Sequence, residues 1–179
     1  TDSYVHLAWH YLSGAGTDAN YDLARYWYEQ AARAGDVESM FVVAQMLEKE
    51  TTPNDETAEK ALIWYEKAAA AGHIDSQYIV GVAHLAEGDI QSLDSAEYWL
   101  TRASEQDSTE AQLVLGKAYK TGAIGRVDPG GAKKWLKSAA QSGNTEAQYE
   151  FAKTMQESTD AVSQKKAYIW LSSAASKGH

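Results

Sequence analysis

His6 and His10 stand four residues apart in the segment His6-Leu7-Ala8-Trp9-His10. On a helix this spacing puts two imidazoles on one face, the start of a site for a divalent metal. The segment lacks the glutamate of the His-Glu-x-x-His pattern, and spacing suggests no third ligand. The pair is therefore read as packing or surface residues, with no metal and no cofactor expected. His84 is read as a buried, hydrogen-bonded residue. No serine sits in a Gly-x-Ser-x-Gly context. Gly14-Ala15-Gly16 and the glycines from Gly125 to Gly131 fall between helices rather than after strands, so no phosphate-binding loop forms. Cysteine is absent, which excludes a disulfide framework, a thiolate metal site and a cysteine nucleophile. Catalysis needs convergent groups in a pocket, and the sequence suggests none, so the chain is not expected to be an enzyme. What remains is the chemistry of contact, carried by eleven tyrosines and six tryptophans.

Five of those tryptophans, Trp27, Trp64, Trp99, Trp135 and Trp170, recur at intervals of 37, 35, 36 and 35 residues. Each lies in Ala-x-x-Trp-Tyr/Leu-x-x-Ala-Ala/Ser, as in Ala24 to Ala32. A fixed period of this length means a stack of one supersecondary unit. Ala24, Trp27, Tyr28, Ala31 and Ala32 fall on one helical face, and the small pair lets a neighbouring helix approach closely. Gly35, Gly72, Gly143 and Gly178 follow this helix as left-handed terminators, with Asp107 in the third copy. A second helical pattern comes next, opened by Asp36, Ser108 and Asn144 as N-caps, with His73 the exception. Glu38, Asp75, Glu110, Glu146 and Asp2 recur in its first turn, where the helix dipole favours negative charge. This leading helix reads Leu115-Gly116-x-x-Tyr119-x-x-Gly122 in its fullest copy, and its small second residue permits a close crossing. The loops inside the copies vary, and include Gly14 to Asn20, Thr51 to Asp55, Gly88 to Asp94, Gly122 to Gly131 and Glu157 to Ser163.

The chain of 179 residues is 44% hydrophobic, enough for a continuous core. Pro53 and Pro129 lie between the patterns. No apolar run approaches the ~20 residues of a membrane span. The net charge of −9 and scattered basic residues argue against a nucleic-acid partner.

These residues resemble the Sel-one-like repeat, a relative of the tetratricopeptide repeat. The pattern is Ala-x-x-x-Leu-Gly-x-x-Tyr-x-x-Gly, a loop, then Lys-Ala-x-x-Trp-Tyr-x-x-Ala-Ala-x-x-Gly, best matched from Ala111 to Gly143. The resemblance implies an all-α, right-handed α/α solenoid, or superhelix, of about five two-helix repeats. The repeats run approximately over residues 1–36, 37–73, 74–108, 109–144 and 145–179 of one continuous array. Members generally serve as adaptors that bring other proteins together, and many bacterial ones are exported, so a periplasmic or exported setting is favoured. The cysteine-rich, penicillin-binding branch does not fit a chain without cysteine. The stretch Tyr119-Lys-Thr-Gly122-Ala-Ile-Gly125-Arg-Val-Asp-Pro129 also resembles repeat loops of periplasmic lipoproteins that help export exopolysaccharides. Thr1-Asp2-Ser3 enters the frame just inside a first helix, and Gly178-His179 stops where a sixth would start. Solenoids need polar end caps, so a fragment of a longer repeat protein is expected, or ends that stack against another molecule.

With Leu7 as frame position 7, the resemblance places positions 5, 9, 12 and 13 of each first helix on a concave groove. The candidate partner-binding residues are Trp9, Phe41, Gln45, Tyr78, Leu113, Lys117, Lys120, Tyr149 and Lys153. Phe41, Tyr78, Leu113 and Tyr149 share one position, and aromatic residues are enriched at interface hot spots. The same position borders the contact between repeats, so packing is its competing role. Lys117, Lys120 and Lys153 are expected to make the C-terminal half of the groove locally basic. The expected partner is a protein or extended peptide held by a non-enzymatic scaffold. The alternative is an anionic glycan, bound by a module of a bacterial envelope or exopolysaccharide-export complex.

Overall fold

The structure is a computed structural model and describes residues 1–16, 18–49, 55–157 and 161–176. Ten α-helices and no strands occur among the described residues. They pair as α1 (Asp2–Ser13) with α2 (Tyr21–Arg33), α3 (Val37–Glu48) with α4 (Asp55–Ala70), and α5 (Ile74–Glu87) with α6 (Ile90–Glu105). The last pairs are α7 (Thr109–Thr121) with α8 (Pro129–Gln141) and α9 (Thr145–Gln156) with α10 (Ala161–Ser176). Helices pack on their neighbours in the chain, both within a pair (α1 on α2, α7 on α8) and between pairs (α2 on α3, α8 on α9). The fold is an all-α solenoid of two-helix repeats. Its backbone contacts divide it into two compact halves, Thr1–Val80 and Gly81–His179, with the division inside α5.

In four of the second helices the residue after the repeated tryptophan is a large buried side chain, and in α10 its counterpart Leu171 is half-buried. Leu100 and Leu136 are fully buried, Tyr65 nearly so, and Tyr28 is buried as well. Among the tryptophans only Trp135 is buried; Trp27, Trp64, Trp99 and Trp170 are half-exposed. The small residue of the first helix makes room for this leucine. A Cβ on Gly81 would lie 2.7 Å from Leu100 Cγ, and one on Gly116 would lie 2.8 Å from Leu136 Cγ and 3.0 Å from its backbone nitrogen. Ala8, Ala44 and Ala152 hold this place in the other copies, each fully buried. In the first half Ala8, Ala24, Tyr28, Ala32, Val43 and Leu47 form a core against which Trp27 and Trp64 lean. In the second, Leu136, Ala139, Phe151, Ala152 and Ala167 do the same beneath Trp170.

The helix ends follow the expected chemistry, with one addition. Gly35, Gly72 and Gly143 have positive φ, and so does Asp107 at 63°. Gly178, Pro53 and Thr51 to Asn54 of the second copy's loop lie outside the described residues. Asp36, Ser108 and Asn144 accept the backbone N–H of Ser39, Ala111 and Ala147 at 2.8, 3.3 and 2.8 Å. His73 is no exception: its Nδ1 accepts the N–H of Ser76 at 3.1 Å. Asn20, Asp89 and Asp128 cap second helices in the same way.

Two substitutions test this packing. Gly116→Ala should lower stability by about 1–2 kcal/mol despite its better helix propensity, because both Leu136 and its backbone must give way. Asp107→Gly should raise it by about 0.5–1 kcal/mol by relieving a left-handed non-glycine residue. Thermal melting checks both, and an unchanged or raised midpoint for Gly116→Ala would contradict the close approach.

Candidate functional site

In the first half, Trp9 is 52% exposed, more than any other aromatic residue of the first helices. It meets His10 edge-on, with ring centroids 5.3 Å apart. Val5, His6, Trp9, His10 and Tyr28 line a cavity of about 390 Å³ between α1 and α2. His10 is turned by its own loop, since Nδ1 lies 2.7 Å from the Ala15 carbonyl oxygen. Among the described residues, no group of three or more His, Cys, Asp or Glu side chains is placed to hold a metal. Phe41 is half-buried and stacks on His73, centroids 4.3 Å apart at 30°, with Tyr65 at 5.8 Å on another side. The Tyr65 hydroxyl donates to Glu48 at 2.7 Å. Burial and that carboxylate push the tyrosine's pKa well up. Gln45 and Tyr78 are half-buried.

In the second half, Leu113 leans on the core around Leu136 and Phe151. Tyr149 is 36% exposed, and the Lys153 ammonium lies 5.2 Å from its ring centroid. Lys117 and Lys120 face acids from the neighbouring first helix, and Lys153 faces one of its own helix. Lys117 donates to Glu146 at 2.6 Å, and Lys120 to Glu150 at 3.1 Å with Glu157 at 3.9 Å. Lys153 approaches Glu150 at 3.8 Å. Three lysines thus stand among three glutamates, and the surface expected to be basic is balanced in charge. The hydrogen bond to Glu146 raises the Lys117 pKa.

The loop of the fourth copy is anchored to the third. Arg126 donates through Nη1 and Nη2 to the Glu97 carboxylate, which also accepts the Tyr119 hydroxyl at 2.6 Å. Arg126 holds the Glu97 carboxyl below its ordinary range, while burial, then Glu97, pushes Tyr119 up to about 12. His84, expected to be buried, is instead half-buried at the end of α5, its Nδ1 3.3 Å from Glu87 one turn on. The shorter imidazole turns to that carboxylate rather than reaching inward.

A ladder of buried glutamines was not read from the sequence. Gln77, Gln112 and Gln148 are buried, and each donates to the carbonyl oxygen of the residue eight positions before it: Ala69, Ser104 and Ala140, at 3.1, 3.0 and 3.2 Å. The signal was a glutamine five residues past each terminator, at Gly72, Asp107 and Gly143. Met40 occupies the place in the second copy.

A family model for the Sel1 repeat matches residues 1–36, 37–73, 74–108, 109–144 and 145–179. The chain belongs to the Sel1 repeat family. Its fold is similar to the crystal structure of a Sel1 repeat protein from Oxalobacter formigenes, with a TM-score of 0.76 and 26% identity over 99% of this chain and 71% of that one. A protective antigen of uropathogenic Escherichia coli with an SLR fold is 23% identical over 96% of this chain and 45% of its own, at a TM-score of 0.48. No curated protein sequence matches the chain. Sel1 repeats commonly bind proteins, and the fold generally serves as a protein–protein interaction scaffold without enzymatic activity. No helix among the described residues is long and apolar enough to cross a membrane.

The Glu97 cluster gives the fourth loop an acid sensitivity. The charged carboxylate is favoured in the folded state, so its contribution is present above the ordinary carboxylate range. It is lost as pH falls through the depressed folded value. Melting midpoints measured from about pH 7 to about pH 3 should fall less steeply for Glu97→Gln than for the parent. Parallel profiles would show that the ion pair contributes nothing to folding.

Proposed function

We propose that this Sel1 repeat chain is a non-enzymatic scaffold that holds a protein or an extended peptide along its first helices. The single observation that carries the reading is the run of five matched Sel1 repeats, a fold that commonly binds proteins. Helices already packed within each half meet a partner with little ordering cost on their own side. Each compact half presents its own set: Trp9, Phe41, Gln45 and Tyr78 in the first, Leu113, Lys117, Lys120, Tyr149 and Lys153 in the second.

The geometry ranks these residues. Trp9 and Tyr149 offer the most open aromatic area, so they are the anchors of this reading. Phe41 is committed to His73 and Tyr65, and its ring shapes the surface more than it is free to leave it. Glu146, Glu150 and Glu157 beside the lysines favour a partner that carries both charges over a purely anionic chain. The glycan alternative, and with it a role in an envelope or polysaccharide-export complex, then rests on aromatic stacking alone. An exported or periplasmic setting belongs to that same alternative and to the habits of bacterial relatives.

Capture from an extract of the source organism, with Trp9→Ala and Tyr149→Ala as separate baits, tests the site half by half. A retained protein should bind about 2 kcal/mol more weakly to the variant whose half it contacts. Equal binding to the parent and both folded variants would remove the anchors. Saturable binding of oligouronates, with no protein retained, would overturn the scaffold reading in favour of the glycan.

A further inference from the structure

The glutamine ladder has a gap inside the first half. Gln77, Gln112 and Gln148 each give an amide N–H to the carbonyl oxygen at the end of the preceding helix. Met40, in the same place, has no side-chain N–H to give the carbonyl of Ala32. A cavity of about 580 Å³ opens at this gap. It is lined by Ala32 and Arg33 of α2, Met40 of α3, and Trp64, Lys67 and Ala70 of α4. That volume lies in the range of small-molecule sites. None of Trp9, Phe41, Gln45 and Tyr78 lines it, so it is separate from the surface proposed above.

Two cations stand at this cavity. Lys67 Nζ lies 4.2 Å from the Trp64 ring centroid and has no carboxylate partner among the described residues. Arg33 holds one acid, Glu29 at 3.5 Å, and its guanidinium has further N–H donors to offer. The pair belongs to this junction between repeats alone. At the later junctions the same frame positions carry Ala70 and Arg102, then Glu105 and Ser138, then Gln141 and Ser173. Both cations sit in last helical turns, where they offset the helix dipole. That role requires neither the cavity beside them nor a methionine in the glutamine's place.

The lining specifies a ligand with three parts. Met40, Trp64, Ala70 and Ala71 offer an apolar bed for a side chain. Arg33 and Lys67 call for a carboxylate, which a guanidinium can hold through two parallel N–H groups. The Ala32 carbonyl calls for an N–H, and an uncharged one, since an ammonium would be repelled by the two cations. We propose that this cavity binds an apolar amino acid with a free carboxylate and an acylated nitrogen, the chemistry of a peptide's last residue. The amide N–H beside the carboxylate then supplies the donor that the glutamines supply at the other junctions.

Titration of the isotope-labelled chain with N-acetyl-L-phenylalanine, followed by NMR, tests this. Shifts should saturate and gather at the Trp64 indole N–H, Met40, Ala70 and Ala71. Lys67→Met and Arg33→Gln, both at exposed positions, should each weaken binding about ten-fold. N-acetyl-L-phenylalaninamide, which has no carboxylate, should lose at least as much. Met40→Gln should close the site by restoring the amide to Ala32, with thermal melting to show that the fold is kept. Equal binding of the acid and its amide, or binding indifferent to Arg33 and Lys67, would overturn the carboxylate contact. Tighter binding of free phenylalanine would overturn the acylated nitrogen and the peptide end with it. No saturable shift up to about 10 mM probe, or shifts gathered away from Trp64, would overturn the site.

Discussion

The approach of the two helices inside a repeat governs the rest of this molecule. Leu100 and Leu136 are fully buried against Gly81 and Gly116, where an added Cβ would come within 2.7 and 2.8 Å of the leucine Cγ. Protein interiors are packed like crystals, so an added methyl at such a point must displace backbone. Once the pair is closed, the repeated tryptophan is left at the border of the core, where four of the five remain half-exposed. The small pair at the end of the second helix then lies open to the following first helix. Close crossing within a repeat thereby creates the seat for the next repeat.

Polar groups follow that geometry. A first helix placed against small residues brings its glutamine onto a carbonyl at the end of the preceding helix, as Gln112 meets Ser104. Seven of the helix starts are satisfied by their own side-chain caps, including the imidazole of His73. That same imidazole stacks on Phe41, so the last residue of the second repeat fixes an aromatic residue on that repeat's own first helix. In the second half, Lys117 and Lys120 of α7 pair with Glu146 and Glu150 of α9, which makes their surface a set of paired charges rather than a field of one sign.

Much of the fold was legible because its period is written in tryptophan, alanine and glycine, residue types with sharp steric roles. The terminators at Gly35, Gly72, Asp107 and Gly143 and three of the caps were readable for the same reason. The glutamine ladder was less so, since a buried amide looks in sequence like any surface glutamine until its carbonyl partner is placed. The balance around Lys117, Lys120 and Lys153 was hidden differently. Their partners Glu146 and Glu150 lie 29 and 30 residues away and become neighbours only when repeats stack. Arg126 and Glu97 pair across the same kind of distance. Which aromatic is open was equally unreadable, because Trp9 and Phe41 share the groove frame but only Phe41 has a histidine to lie on.

The central claim is that the first helices, rather than the second, form the surface that meets a partner. Hydrogen exchange of the chain with and without its captured partner measures this directly. The account predicts slower exchange concentrated in first helices, α1, α3 and the start of α5 in one half or α7 and α9 in the other. Slowing confined to α2, α4, α6, α8 and α10 would contradict it.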